Sequence, residues 1–172
     1  FWALVQSHVA EKPTDTALLL PHDQLSIPQQ TLRRQVHTTL QKVTDDFNRR
    51  YTFNTAIAAI MELTHAVADF KTTTPLCYAV RQEALETMTL MLSPMVPHIT
   101  HALWQALGHA ADPIETSWPQ VDKAALVVNT HTWVVQVNGK VRGRITLPAN
   151  IADEAAKQQA LNDPNVARHL AD

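Results

Sequence analysis

Leu32, Val36, Leu40, Val43, Phe47 and Tyr51 follow one another at steps of 4, 4, 3, 4 and 4. That is the period of an α-helix, and it is held for about five turns. A strand would scatter the same residues over both its faces. Ser26, with Gln29 three residues on, has the form of a capping box at the start of this helix. The period returns through Ala56, Ile60, Leu63 and Val67, and again through Val80, Leu85, Met88 and Leu92. Thr74-Pro75 reads as an N-cap with proline at the first helical position, and Pro94 ends that helix. Pro97 starts a shorter one that stops at Gly108, while residues 1–10 have the pattern of a helix's last turns and 11–25 read as a connecting loop. Amphipathic helices joined by modest loops predict an antiparallel helical bundle over 1–112.

After Gly108 the texture changes. Residues 113–130 hold two prolines and no clear period, which reads as a linker. Then comes WVVQVNGKVRGRITL, residues 133–147, with two of the chain's three glycines and the charges Lys140, Arg142 and Arg144. No acid lies between Asp122 and Asp153. Asn138-Gly139 suggests a two-residue hairpin turn. With that loop alone, Val135 would face Arg142 and the faces would mix. A three-residue loop, with Gly139 left-handed, pairs odd with odd and puts Val141, Gly143, Ile145 and Leu147 on one apolar face. Lys140, Arg142 and Arg144 then share the other. Asn150 caps a helix over about 151–161, and Asp163-Pro164 starts another that runs to the end. The fold class expected is mainly α, with residues 131–172 forming a small, truncated α+β domain.

A net charge of −2 makes any nucleic-acid surface a local one. An acid-free basic ribbon suits a phosphate backbone, whose counterions each Lys or Arg contact releases. The same charges also keep a sheet edge from aggregating, and the pattern alone leaves both readings open. Arg33, Arg34, His37, Lys42, Arg49 and Arg50 on the first long helix face only Asp45 and Asp46, and read equally well as a wet face. The single cysteine, Cys77, sits among apolar residues and reads as a buried thiol in a reducing compartment. His98, His101 and His109 read as helix-end histidines, since no second motif completes a metal site. Glu62, Glu83 and Glu86 read as exposed helix positions. NGKVR lacks the spacing of a phosphate-binding loop. No catalytic centre, metal site or signal peptide is expected, and no apolar run approaches the length of a membrane span. The chain opens on Phe1 in mid-pattern, which suggests a piece of something longer.

In order, these stretches resemble the C-terminal end of the bacterial leucyl-tRNA synthetases. LRRQVHTTLQKVTDDFNRRYTFNTAIAAIMEL (32–63) and MLSPMVPHITHALWQALG (91–108) are similar to helices of the anticodon-binding-type domain, SWPQVD (117–122) to the link after it, and VVQVNGKVRGRITLP (134–148) to the most specific segment. The resemblance covers essentially the whole chain and implies a part of a ligase, because the HIGH and KMSKS signatures of the catalytic domain are not in it. It implies tRNA(Leu) and the enzyme's other domains as partners, a cytoplasmic and monomeric parent without membrane association, and ATP and Mg bound outside this segment. Carried over residue by residue, Lys140, Arg142 and Arg144 become contacts to the tRNA elbow or backbone. Arg33, Arg34, Arg49 and Arg50 become contacts along the tRNA stem, some of which pair with acids inside the protein instead. Family members continue with further strands, so 131–172 is expected to be mobile, poorly packed or paired with a neighbour. The alternatives are a helical protein-interaction module with a solubilising hairpin, and the equivalent bundle of an isoleucyl or valyl enzyme.

Overall fold

Each helix begins where its capping chemistry allows. The structure, a computed structural model, describes residues 1–12, 25–127, 130–148 and 151–168. Ahead of α2 (Ile27–Asp45) the Gln29 side chain accepts from the Ser26 N–H at 2.8 Å, as a capping box requires. Ahead of α4 (Pro75–Leu92) the Thr74 hydroxyl accepts from the Cys77 N–H at 3.2 Å. Helix α5 (Pro97–Ala106) starts on its proline, and Gly108 beyond it takes a left-handed φ of 106°. Helices α1 (Trp2–Ala10) and α3 (Phe53–Asp69) complete the set. Most of the loop read over 11–25 lies outside the described residues. Among these, no helix is long and apolar enough to cross a membrane.

The chain divides into two units, Phe1–Leu126 and Val127–Asp172. In the first, α2 packs on α3 and α4, and α4 also carries α1 and α5. Val36, Leu40, Val43, Leu63, Val67, Leu85 and Met88 have no exposed surface. Each such side chain contributes about 1.5–3 kcal/mol by leaving water. Helix α4 is buried on nearly every side from Cys77 to Met91, so its polar residues need partners inside the protein. Gln82 donates to the Leu107 carbonyl at 3.0 Å and to Glu86 at 2.7 Å, and its carbonyl meets His8 Nε2 at 2.7 Å. Residues 113–126, set apart in the sequence as a linker, belong with the first unit: Trp118 and Val121 pack on its core.

The long period of α2 does not run to Tyr51. Asp46–Arg50 form a π-helical turn, which adds a residue to the turn and re-aims all that follow. Phe47 stays half-buried between Phe53 and Trp118, with ring centroids 5.3 and 5.8 Å away. Tyr51, expected on the core face, ends the turn at φ 53° and is 71 % exposed. That left-handed conformation costs a side chain with a Cβ about 1–2 kcal/mol.

In the second unit β1 (Thr130–Val137) and β2 (Lys140–Pro148) form an antiparallel hairpin. The expected three-residue loop is wrong. Val137 pairs with Lys140, so the loop is Asn138-Gly139 alone, with φ 52° and 74°, the left-handed pair of a type I′ turn. Odd–odd pairing is nonetheless present further along, with Val135 opposite Gly143 and Trp133 opposite Ile145. A β-bulge reconciles the two: Val141 faces Gln136 and Arg142 is the extra residue. Helix α6 (Asp153–Asn162) starts after Ala152, two residues later than expected, and Asn150 lies outside the described residues. Helix α7 (Pro164–Ala167) is capped by Asp163, which accepts from the N–H groups of Asn165 and Val166. Both helices pack on β2, and Leu147, Ala156 and Val166 are buried there.

Gly143 has a packing reason that its sequence position did not reveal. A Cβ on it would lie 2.8 Å from the Val166 Cγ2. Gly143→Ala is therefore expected to destabilise the second unit by about 1–3 kcal/mol. Adding Val166→Ala should recover part of that loss. Hydrogen exchange across 133–147 reads both, and equal protection in wild type and Gly143→Ala would refute the contact's importance.

Candidate nucleic-acid interface

The bulge decides how the hairpin displays its charges. Paired residues share a face of the sheet. Arg144, opposite Val134, lies on the face of Val134, Gln136 and Val141; Lys140, opposite Val137, lies on the face of Trp133 and Val135. The expected all-basic face is thus split, because the extra residue shifts the alternation by one. Val134 and Val141 are 52 % and 55 % exposed, so the face carrying Arg144 is mixed rather than purely charged. Lys140 and Arg144 are exposed, and Arg142 is half-buried. None of the three forms an ion pair among the described residues, and the Arg142 Nε is buried without a hydrogen-bond partner. These cations offer a diffuse positive tip.

The basic residues of α2 have other duties. Arg33 is buried, and its guanidinium grips Glu83 at 2.7 and 2.9 Å and Asp122 at 2.9 Å. It is committed to the protein's own carboxylates, and its place among nucleic-acid contacts is withdrawn. His37 joins this cluster: its Nε2–H donates to Glu83 at 3.2 Å, and its Nδ1 accepts from the Asp122 backbone N–H at 3.2 Å. Burial pushes the Glu83 carboxyl up, but hydrogen bonds from His37 and Arg33 leave it below its ordinary value. Arg34 is half-buried in a shallow groove with Thr38, Lys42 and Glu62. Arg49 is exposed but binds Asp45 through two nitrogens at 2.6 and 2.9 Å. Arg50 stands 3.6 Å from both Asp45 and Asp46.

Asp46 is the residue that sequence reading passed over. It sits at the start of the π turn with no exposed surface. Its carboxylate accepts from Lys42 at 2.6 Å, from Thr55 at 2.7 Å and from Thr52 at 3.0 Å. The bonds from Lys42 and Thr55 outweigh burial and hold its pKa at about 2. The spacing Lys42–Asp46 is the one signal that the sequence carried. Glu83 and Glu86 also prove less exposed than expected: Glu86 accepts from Gln82 and from His109 at 2.7 Å, and His109 stacks on Trp104 with centroids 3.7 Å apart. His101 binds Asp112 at 3.1 Å. Cys77 is buried; burial raises its pKa, but hydrogen bonds from Thr74, Gln29 and Thr73 bring it to about 7.

Residues 29–157 match the family described as the anticodon-binding domain of tRNA ligase. The leucine–tRNA ligase of Alcanivorax borkumensis is 48% identical over 167 residues, which is 97% of this chain and 20% of that protein. The corresponding ligase of Thioalkalivibrio sulfidiphilus is 49% identical over 169 residues, which is 98% of this chain and 20% of the relative. The chain therefore spans about a fifth of the length of the curated relatives it matches. Among solved structures, the LeuRS of Agrobacterium radiobacter K84, in a ternary complex with tRNA and LeuAMS, superposes with a TM-score of 0.68 at 27% identity, covering 99% of this chain and 22% of that one.

Two outcomes follow for the buried charges. Arg33→Ala empties a buried site and leaves the half-buried Glu83 short of its main partner, and should cost about 3–5 kcal/mol in denaturant unfolding. A loss under 1 kcal/mol would show that the cluster does not carry this load. For Asp46 the folded pKa lies below the ordinary 3.8, so its stabilisation is present above pH 4 and fades between about pH 4 and 2. Asp46→Asn should thus melt below wild type at pH 7, with the gap closing as the pH falls through that window. A gap independent of pH would contradict the assignment.

Proposed function

We infer the function from the premise that this chain belongs to the anticodon-binding domain family of tRNA ligases: it is the tRNA-binding portion of a leucine–tRNA ligase. Its work is positioning. It holds the body of tRNA(Leu) while ATP-dependent aminoacylation proceeds on parts of the parent enzyme outside these residues. The carrying observation is the likeness over 99% of the chain to a LeuRS whose complex contains tRNA. The unpaired cations of the hairpin support it with a physical means of binding. Duplex RNA exposes little sequence information to side chains, so recognition rests on shape and phosphates. Lys140, Arg142 and Arg144 contact the backbone or elbow of the tRNA, and Arg34, Arg49 and Arg50 are secondary contacts along its stem. ATP and Mg belong to the parent's catalytic part. The parent acts in the cytoplasm as a monomer.

The test is tRNA titration of the intact ligase at several salt concentrations. The triple variant Lys140→Ala/Arg142→Ala/Arg144→Ala should bind tRNA more weakly and flatten the log–log salt slope by roughly 2–3. Amino acid activation, which needs no tRNA, should stay as it is. Unchanged affinity and slope would remove the hairpin from the interface.

A further inference from the structure

The π turn turns a buried helix end into an exposed elbow. Without the extra residue, Tyr51 would continue the core stripe of α2. With it, Arg49, Arg50, Tyr51, Phe53 and Asn54 are all exposed on one short length of chain. Phe53, half-exposed, is braced from behind by Phe47. Tyr51 has no ring stacked or tilted against it among the described residues, and it is held in a left-handed conformation that an aromatic side chain rarely adopts. Backbone strain that exposes an aromatic ring calls for a use of that ring.

We propose that Tyr51 is a stacking platform for an unpaired nucleotide of the bound tRNA, one that adjoins the stem contacted by Arg49 and Arg50. The proposal rests on the tRNA-binding reading above. An exposed tyrosine beside two arginines is what recognition of splayed-out bases uses: an aromatic face for the base, planar cations for the flanking phosphates. The elbow's charge is small. Lys42, Arg49 and Arg50 stand against Asp45 and Asp46, a net of about +1, and Arg49 is already held by Asp45. Stacking, not counterion release, therefore supplies the affinity here. This separates the elbow from the hairpin, whose cations have no acidic partners among the described residues. A base-paired stem offers Tyr51 nothing, because its bases are already stacked on each other.

Tyr51→Gly tests this in the intact ligase. Glycine takes a left-handed φ without strain, so the variant should melt at or above the wild-type temperature. Its affinity for tRNA should nonetheless fall roughly 5- to 100-fold, with the salt slope unchanged. Affinity for a fully duplexed RNA of equal length should not move, and Tyr51→Trp should bind tRNA as wild type does. Wild-type affinity in Tyr51→Gly, or equal losses for tRNA and duplex, overturns the proposal. If the hairpin variant still weakens tRNA binding in that case, only the elbow's role falls. If neither variant affects binding, the tRNA-binding reading falls with it.

Discussion

The first unit is organised around one buried guanidinium. Arg33 on α2 reaches Glu83 on α4 and Asp122 on the stretch that follows α5, so a single side chain ties together segments 50 and 89 residues apart. A buried cation alone would be very costly; two carboxylates make it tolerable by accepting its hydrogen bonds, and His37 holds both of their residues in place. The arrangement is directional in a way that apolar packing is not. With Asp122 fixed, Trp118 can lie on the bundle, donate its indole N–H to Thr44 at 2.8 Å and close over Phe47. The wall behind the π turn thus depends on an ion cluster on another part of the same helix.

Much of this was legible in the sequence where one local rule decides. The caps at Ser26 and Thr74, the proline starts and the stop near Gly108 follow from backbone hydrogen bonding within four residues. The buried positions of α2 and α3 follow from a period. What escaped required information from elsewhere in the chain. Arg33 and Arg34 are adjacent and alike in sequence, and only Glu83 and Asp122, far along the chain, make one of them a core residue. The π turn has no period of its own, so Tyr51 looked like one more core position. At the hairpin, face parity was read correctly for Trp133, Val135, Gly143 and Ile145, but parity can be restored either in the loop or by a bulge. Asn138-Gly139 had already favoured the tight turn, and that local chemistry prevailed.

The candidate site was legible to the same degree. The hairpin cations could be found because no acid lies near them in sequence, which is a local property. Which of them share a face could not, because one unpaired residue reverses the alternation. For the basic stripe of α2 the missing information was which residues pair. Internal pairing of some of these arginines was expected, but only the tertiary fold, by supplying Glu83 and Asp122, shows that Arg33 is the one taken into the core.

Helix α1 is seated on α4 partly by His8, stacked on Tyr78 at 4.0 Å and bonded to the Gln82 carbonyl. Both donor hydrogens of the Gln82 amide are occupied by Glu86 and Leu107, so its oxygen can only accept and His8 must present Nε2–H. Grease alone would let one helix glide along another with little penalty. A slip of a single residue moves the imidazole by about 1.5 Å, beyond the reach of a hydrogen bond that starts at 2.7 Å. The pair acts as a detent, giving α1 one seating on the bundle where the apolar surfaces alone would tolerate several.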